Sequence, residues 1–244
     1  KKIMKNNTKK QEMVFGVHPL IELLKAKKRK IYTLYTTKPE PRSLIQIKKY
    51  WPQYPVSIQY VKRDVLHKLA GTEDHQNLVA LAAPLQINKK FFNPERHKNL
   101  VLLDGIQDTR NLGAIIRSAY CTGVDGIILC AKNSAPLNAS AIKASAGLAE
   151  HTNFYIAPSP KGAIELLKEA GYHIYLTTLD HGTDALSITY KHPLCLVIGN
   201  EEKGITKDMY GTKITLPQRT PDISYNASVA AGIFMFLIMN QPAK

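Results

Sequence analysis

Residues 100–240 contain a series of uninterrupted apolar runs of strand length, and segments with the apolar spacing of a helix lie between or after them. Continuous apolar strands that alternate with helices are typical of a mainly parallel sheet with both faces covered. The sequence therefore predicts an α/β fold whose ligands bind at the carboxyl ends of the strands. The runs are 100–104, 126–130, 173–178, 194–199 and 213–216, and the helical segments are 111–122, 138–149, 160–170 and 225–240.

The first hundred residues predict a second, smaller α/β unit. Helical spacing over 18–30 is followed by strand-like runs at 31–37, 56–61 and 78–85, with short helical patterns between them. The stretch 86–99 is polar and rich in Lys and has no clear periodicity, so it reads as a linker. The predicted organisation is a basic flexible arm over 1–12, a small α/β domain over 13–85, a linker over 86–99 and the larger domain over 100–244.

The formal charge is concentrated in the first hundred residues. They hold 21 Lys and Arg against 7 Asp and Glu, whereas residues 101–244 hold 12 of each kind. Such a division predicts a basic module for a polyanion joined to a neutral module with another purpose. The alternative is a solvated basic surface with a charged tail.

Several classes of protein are disfavoured by the sequence. The three cysteines are far apart and form no CxxC pair, which indicates a reducing compartment and gives no support for a metal site. The longest apolar run, 227–239, is shorter than the roughly 20 residues of a membrane span and is expected to be a buried helix. No apolar signal-peptide core follows the N-terminus, so we expect a cytoplasmic protein.

Nucleotide-binding motifs are also missing. No GxGxxG follows a predicted strand, and the loop 199–204 has the glycine spacing of a Walker motif but continues with Ile205-Thr206 in place of Lys-Ser/Thr. Two carboxylates inside this loop disfavour a triphosphate.

Polar loops follow three of the predicted strands. In the first, Asp108 or Thr109 is suited to cap a helix, and Arg110 and Arg117 would share one face of it if the helix starts that early. Two arginines beside a helix N-terminus predict a site for a phosphate-bearing ligand. The second loop is 198–204, and the third is 216–228, which leads into the apolar C-terminal helix.

The third loop contains two candidate polar residues near the start of that helix. Ser224 is suited to cap it. Asn226 is a poor helix former at the start of an otherwise apolar helix, which makes it a candidate functional residue.

Together, in this order and spacing, the three segments resemble the SpoU/TrmH family of RNA ribose 2′-O-methyltransferases in the SPOUT superfamily. The first motif is similar to Asn111-Leu-Gly-Ala-Ile-Ile-Arg117, the second to Ile198-Gly-Asn-Glu201 with Lys203-Gly204, and the third to Leu216-Pro217 with Ser224-Tyr-Asn226. In the first hundred residues, Phe15 to Leu24 and His75 to Ala80 resemble the ribosomal-protein-like substrate-binding domain of the branch that acts on large-subunit rRNA.

The resemblance implies a trefoil knot in the larger domain, S-adenosylmethionine (SAM) as cofactor and a homodimer that completes each site. It implies a catalytic and substrate-positioning set of Asn111, Arg117, Glu201, Ser224 and Asn226. It implies a cofactor site around Thr178, Ile198, Gly199, Asn200, Gly204, Ile214, Leu216, Gln218, Tyr225 and Ala227. The sequence departs from the family pattern at Asn77, where glycine is usual, and at Gln218, Arg219 and Tyr225.

Methyl transfer to a ribose needs the 2′-hydroxyl in line with the methyl group and needs no metal, because positioning supplies much of the acceleration. Arg117, the family's candidate base, has two open roles. A guanidinium is a poor base because it normally keeps its proton, and pinning the adjoining phosphate is an equally physical role. The basic residues expected to contact RNA phosphates are Lys25, Lys27, Lys28, Arg29, Lys30 and Arg110.

The leading hypothesis from the sequence is therefore SAM-dependent 2′-O-methylation of RNA, at a guanosine of large-subunit (23S) rRNA. One alternative keeps the chemistry and takes tRNA as substrate. The other is a non-catalytic RNA-binding protein of ribosome assembly that keeps the fold.

Overall fold

The computed structural model describes residues 11–200, 202–219 and 224–241. The chain divides after Gln86 into two units. Most of the predicted arm, residues 1–10, lies outside the described residues. In the part that is described, no helix is long and apolar enough to cross a membrane.

The first unit is a four-stranded sheet with three helices. Its strand order is β1-β4-β2-β3, with β4 antiparallel to both of its neighbours and β2 parallel to β3. Apolar residues at helical spacing bury one side of the first helix, as Leu20 and Leu24 illustrate. The elements are β1 (Glu12–Phe15), α1 (Val17–Ala26), β2 (Ile31–Thr36), α2 (Leu44–Lys48), β3 (Ser57–Tyr60), α3 (Arg63–Ala70) and β4 (Leu78–Ala82).

The second unit is a seven-stranded sheet in which every described pairing is parallel, which confirms the predicted fold class. Its elements are β5 (Asn99–Leu103), α4 (Thr109–Thr122), β6 (Gly126–Cys130), α5 (Ala139–Ala144), β7 (Phe154–Ala157), α6 (Pro160–Glu169), β8 (His173–Thr177), β9 (Thr183–Asp184), β10 (Leu194–Ile198), β11 (Thr212–Thr215) and α7 (Ala227–Met239).

The strand order, β7-β6-β5-β10-β8-β11-β9, determines which loops meet. The late strand β10 lies between β5 and β8, and β11 pairs with β8 on its other side. Because carboxyl ends of parallel strands share one edge, the loops after β5, β8, β10 and β11 are neighbours. The trefoil knot stays a prediction.

Three sequence predictions were wrong in detail. The helix predicted over 138–149 ends at Ala144, because Ala146 and Gly147 have positive φ angles of 55° and 85°, and a short 3₁₀ turn follows at Leu148–Glu150. The short strands β1, β7 and β9 were not predicted. The C-terminal helix α7 is not fully buried, since Val229 and Phe236 are 50% and 60% exposed.

Residues 87–98, within the stretch read as a linker, form no helix or strand and belong to the second unit. Phe92 is buried in the core of that unit, and a Cβ on Gly126 would come within 2.4 Å of its ring. The amide of Asn88 donates to the Phe154 carbonyl at 2.8 Å.

Candidate active site

The loops that follow β8, β10 and β11, together with the start of α7, line one cavity of about 330 Å³ in the second unit. It lies at the carboxyl edge of the sheet, where the sequence predicts a ligand. The walls combine apolar residues, such as Leu216 and Phe234, with polar ones, such as Thr178 and Gln218. This composition suits a ligand with a large apolar surface and a few polar groups.

The loop after β10 needs glycine at its first position. A Cβ on Gly199 would lie 2.4 Å from the Gly204 carbonyl carbon and 2.5 Å from the Ile205 nitrogen. The two ends of the loop are joined by reciprocal hydrogen bonds between Asn200 and Gly204, at 3.0 and 2.9 Å. The chain therefore closes on itself at the cavity wall, and any larger residue at position 199 would force it open.

Asn200 fixes this loop to the loop after β5. Its Nδ2 donates to the Gly105 carbonyl at 2.8 Å, and its Oδ1 accepts from the amides of Glu202 and Lys203 at 2.9 and 3.1 Å. All these contacts are made to backbone groups of the protein, so the Asn200 side chain stabilises the loop at the cavity wall.

Asp104 is a structural residue that the sequence reasoning missed. It is buried at the end of β5, and its carboxylate accepts a hydrogen bond from the Thr206 amide, 102 residues further along the chain. An aspartate at the end of an apolar strand was the available signal. The bond ties the loop after β10 to the neighbouring strand.

The helix caps answer the question that the sequence left open. Asp108 caps α4 as expected, since its side chain accepts from the Arg110 amide at 2.7 Å. The cap of α7 is Asn226 and not Ser224, because Asn226 Oδ1 accepts from the amides of Ser228 and Val229 at 2.9 and 3.4 Å. Asn226 therefore has a structural function at the helix start.

Asn226 also joins the first and third motifs. Its Nδ2 donates to Asn111 Oδ1 at 3.3 Å, across 115 residues of sequence. Both residues belong to the predicted catalytic set. The helix cap holds the Asn226 side chain in place, so the cap and the contact with Asn111 are made by opposite ends of one amide group.

Nine of the ten residues predicted for the cofactor line the cavity. The exception is Ile214, which is buried in β11 and whose carbonyl accepts from the Thr178 amide at 2.9 Å. Ile214 therefore positions a lining residue. Ser224, from the catalytic set, lines the cavity as well, and so does Lys203 of the second motif. The lining also contains residues that the motifs did not indicate: Thr177, Leu179, Asp180, Glu202, Ile205, Ala230 and Phe234.

The two arginines of α4 lie apart from the cavity lining. Arg117 is exposed. Arg110 pairs with Asp108, with 3.0 Å between Nη2 and Oδ2, and this hydrogen-bonded guanidinium lowers the pKa of the Asp108 carboxyl. Glu201 lies outside the described residues.

Five of the basic residues predicted for RNA lie in the first unit, and the structure corrects one of them. Lys25, Lys27, Lys28 and Lys30 are exposed. The Arg29 side chain is only 1% exposed and pairs with Glu12 at 2.9 Å, while also donating to a backbone carbonyl. A buried, paired guanidinium does not reach an RNA phosphate, so Arg29 serves the fold.

The cavity suits SAM on the chemistry of its walls. Gln218 contributes an Oε1 atom that is buried without a hydrogen-bond partner among the described residues, although its side chain lines the cavity. An orphaned acceptor of this kind is costly unless a bound donor satisfies it, and SAM carries amino and hydroxyl donors. In the described ranges no group of three or more His, Cys, Asp or Glu is placed to hold a metal ion.

The fold and the cavity define a SPOUT-type methyltransferase, and family models match both units. The model described as the SpoU rRNA Methylase family matches residues 98–236, and the model described as RNA 2′-O ribose methyltransferase substrate binding matches residues 13–88. The chain belongs to the SpoU/TrmH family, as the sequence motifs predict. It is a SAM-dependent RNA 2′-O-ribose methyltransferase.

Individual relatives support the same family assignment. The chain is 31% identical over 94% of its length to a putative TrmH family tRNA/rRNA methyltransferase, YacO, of Bacillus subtilis, covering 95% of that protein. It is 30% identical to the 23S rRNA (guanosine-2′-O-)-methyltransferase RlmB of Shewanella oneidensis, covering 96% of this chain and 98% of that one. The AdoMet-bound rRNA methyltransferase of Sinorhizobium meliloti is 25% identical, with a TM-score of 0.78, and the match covers 93% of this chain and 86% of that chain.

Proposed function

We propose that this methyltransferase modifies the ribose 2′-hydroxyl of a guanosine in large-subunit rRNA, as a homodimer. The assignment of the substrate rests on the presence of two different units in this chain. The basic substrate-binding unit and the methyltransferase unit occur in one chain, and the whole arrangement aligns over nearly its full length with the S. oneidensis 23S rRNA enzyme. Lys25, Lys27, Lys28 and Lys30 contact RNA phosphates without reading the sequence.

SAM supplies an electrophilic methyl group when it is bound. The cavity walls hold the cofactor: Ile198, Leu216 and Ala227 cover its apolar parts, and the tight loop at Gly199 brings backbone groups against it. The linked amides of Asn111 and Asn226 orient the RNA. Positioning of this kind removes the entropic cost of aligning the hydroxyl with the methyl group.

Arg117 pins the phosphate beside the target ribose. A protonated guanidinium binds a phosphate through two parallel hydrogen bonds, and it is a poor proton acceptor. The 2′-hydroxyl proton then passes to the phosphate or to solvent. This role requires an exposed arginine, and the exposure of the Arg117 side chain supports it.

A second copy of the chain covers an apolar surface on α4 and α7. The two helices pack together, and Val229, Phe236 and Tyr120 are 50%, 60% and 46% exposed along them. Exposed apolar side chains on two adjacent helices are typical of a protein interface. Because Arg117 is on α4 and outside the lining of its own cavity, we propose that it completes the site of the partner.

The first experiment measures transfer of labelled methyl from SAM to unmodified large-subunit rRNA and, separately, to tRNA. We expect label on an rRNA guanosine ribose. Arg117→Ala should lower the rate by about 10²- to 10³-fold, the range for loss of one preorganised hydrogen-bond donor, with SAM affinity unchanged. Arg96→Ala removes an exposed arginine of the segment 87–98 and is the matched control. Weaker SAM binding in Arg117→Ala would contradict the assignment.

Subunit complementation tests the shared site. Arg117→Ala keeps the SAM cavity and Gly199→Val keeps the arginine, so a mixed dimer regains one complete site only if Arg117 acts across the interface. We expect equal mixing to restore activity that neither variant has alone. If the mixture stays inactive while size exclusion with light scattering shows mixed dimers, Arg117 acts within its own chain.

Transfer to tRNA is the second candidate activity. The named function of the B. subtilis relative includes both tRNA and rRNA. Label that appears on tRNA and not on rRNA would select it.

A further inference from the structure

A second cavity, entirely within the first unit, is built from charge and aromatic rings. It measures about 680 Å³ and lies between the C-terminal end of α1, the segment 27–30 and the segment 49–54 that follows α2. We name it the basic-aromatic pocket. It is defined by Lys27, Lys28, Lys30, Lys49, Trp51 and Tyr54 among its lining residues.

The charge of this pocket has one sign. Its lining includes five exposed lysines and the buried Arg29, whose guanidinium pairs with Glu12, and none of the described residues that line it is Asp or Glu. The nearby carboxylate of Glu22 pairs with Lys25 Nζ at 2.9 Å from outside the lining. Mutually repelling ammonium groups around one cavity suit an anionic ligand with more than one charge.

Lys27 occupies a position that normally favours glycine. It is the C-cap of α1, with a φ angle of 54°, and its amide donates to the Leu23 carbonyl at 3.3 Å. A side chain in this left-handed conformation has a conformational cost that glycine avoids. The fold thus keeps a charged side chain on the pocket at a position where glycine would be more stable.

The aromatic rings of the pocket have different surroundings. Lys25 Nζ lies 5.2 Å from the centre of the Tyr50 ring, and Lys30 Nζ lies 5.5 Å from the centre of the Tyr54 ring. The Tyr54 hydroxyl accepts from the Ile31 amide at 3.1 Å, which fixes that ring. For the half-buried Trp51, no cation or second ring is in contact among the described residues, so its indole is the ring available to a ligand.

From these features we infer that the basic-aromatic pocket binds an unstacked nucleotide of single-stranded RNA, with the base on Trp51 and the flanking phosphates on the lysines. A base and a sugar fit a cavity of this size, and stacking on an aromatic ring beside lysines is how single strands are bound. An acidic peptide would satisfy the lysines and leave the indole without a partner. The inference rests on the RNA substrate of the proposed function and assigns it a contact outside the methyl-transfer site.

The chain has a single tryptophan, so the intrinsic tryptophan fluorescence of the whole protein reports on this pocket alone. We expect a single-stranded RNA of about ten nucleotides to quench it saturably, and a duplex of the same sequence to quench it much less. Polyglutamate of similar charge should not quench it. Equal quenching by all three ligands, or quenching by polyglutamate only, would overturn the inference.

Variants separate stacking from charge, with affinity measured by anisotropy of labelled RNA. Trp51→Ala should weaken binding by about 5- to 150-fold, the effect of losing one stacked base, while Trp51→Phe should retain binding within threefold. Tyr60→Ala, an exposed ring at the end of β3, is the control. Unchanged affinity in Trp51→Ala contradicts the inference, and retained binding in Trp51→Phe guards against a folding defect.

Lys27→Gly provides the sharpest test of the charge. It should raise the melting temperature because the strain at φ 54° disappears, and it should lower the slope of log affinity against log salt by about 0.7, one phosphate contact. Lys68→Ala, an exposed lysine on α3, should leave the slope unchanged. A higher melting temperature with an unchanged slope contradicts a role of Lys27 in binding. All these measurements are independent of methyl transfer, so an inactive enzyme that still shows quenching would refute the proposed function alone.

Discussion

The active-site cavity and the basic-aromatic pocket of this methyltransferase are built in opposite ways. The active-site cavity is enclosed by loops that are distant in the sequence and held by contacts such as that between Asn111 and Asn226. The basic-aromatic pocket comes from two segments that are close in the sequence, 23–30 and 49–54, and is defined by lysines and rings. The first depends on close backbone approach and the second on charge, so the first should fail abruptly on mutation and the second gradually with salt.

The largest effect is expected for Gly199→Val, which tests whether the active-site cavity depends on close backbone approach. The new side chain would collide with backbone atoms of Gly204 and Ile205, at 2.4 and 2.5 Å from the Cβ position alone. We expect SAM affinity, measured by calorimetry, to fall by about 100-fold or more, equivalent to about 2.7 kcal/mol.

RNA affinity of the same variant should stay within twofold, because the pocket of the first unit is not altered. Gly162→Ala is the control: it lies in α6, and the nearest atom to its Cβ would be a side-chain hydroxyl at 3.2 Å rather than backbone. Equal loss of RNA binding in Gly199→Val would show that the two cavities are not independent.

Arg29 gives the next largest effect and separates structure from binding within the basic unit. Removing its guanidinium leaves Glu12 without the partner at 2.9 Å and the Ala83 carbonyl without a donor. Because Glu12 is one-third exposed, we expect Arg29→Ala to lower the free energy of unfolding by about 2 to 3 kcal/mol, below the 3–5 typical of fully buried pairs.

Lys30→Ala, one residue along, is the control for Arg29→Ala. It should change stability by less than about 0.5 kcal/mol and weaken RNA binding in a salt-dependent way. Urea denaturation and RNA titration of both variants distinguish a structural role of Arg29 from a role in RNA binding. A stable Arg29→Ala protein with weak RNA binding would restore Arg29 to the RNA contacts.

Arg29 also illustrates the limit of prediction from the sequence. The predicted strand runs of the second unit and the cap of α4 at Asp108 depend on local patterns, and the structure has them where the sequence indicated. The three motifs are local as well, and the match to the family model confirms the family that they indicated. Arg29 was misassigned because a basic run does not show which member turns inward to meet Glu12. The position of β10 between β5 and β8, and with it the bond from Asp104 to Thr206, depends on contacts across the sheet that no local pattern contains.

Asn226 has a smaller expected effect on stability, and it sharpens the account of the active site. Asn226→Ala removes the cap of α7 and should lower the free energy of unfolding by about 1 kcal/mol. Asn226→Ser keeps a side-chain oxygen for the cap and loses the contact with Asn111, so its stability should change by only about 0.5 kcal/mol. Thermal denaturation measures both.

The rate of methyl transfer by the two variants then distinguishes a role of Asn226 in capping α7 from a role in orienting the substrate. We expect about tenfold or greater loss of activity in both variants, because neither retains the amide that meets Asn111. If Asn226→Ser were stable and fully active, capping would be the whole function of Asn226.

The smallest expected effect concerns pH and one histidine in each unit. Burial lowers the pKa of His75 in the first unit, with further contributions from His67 and Arg63, and burial also lowers the pKa of His192 in the second. The folded protein then binds fewer protons than the unfolded chain near pH 6. Stability is therefore complete above the unfolded value of about 6.5 and declines as the pH falls towards the folded pKa.

His75→Asn isolates the contribution of the first unit. His75 Nδ1 accepts from the Asn77 amide at 2.9 Å, and an asparagine Oδ1 offers an acceptor at a similar distance from the backbone without titrating. Between pH 7.5 and 5.5 the melting temperature of the variant should fall by less than that of the wild type, because asparagine does not titrate and the lowered pKa of the buried His75 no longer costs stability as the pH falls. Parallel pH curves for the two proteins would show that His75 titrates alike in the folded and unfolded states, and the acid sensitivity would then belong to the second unit.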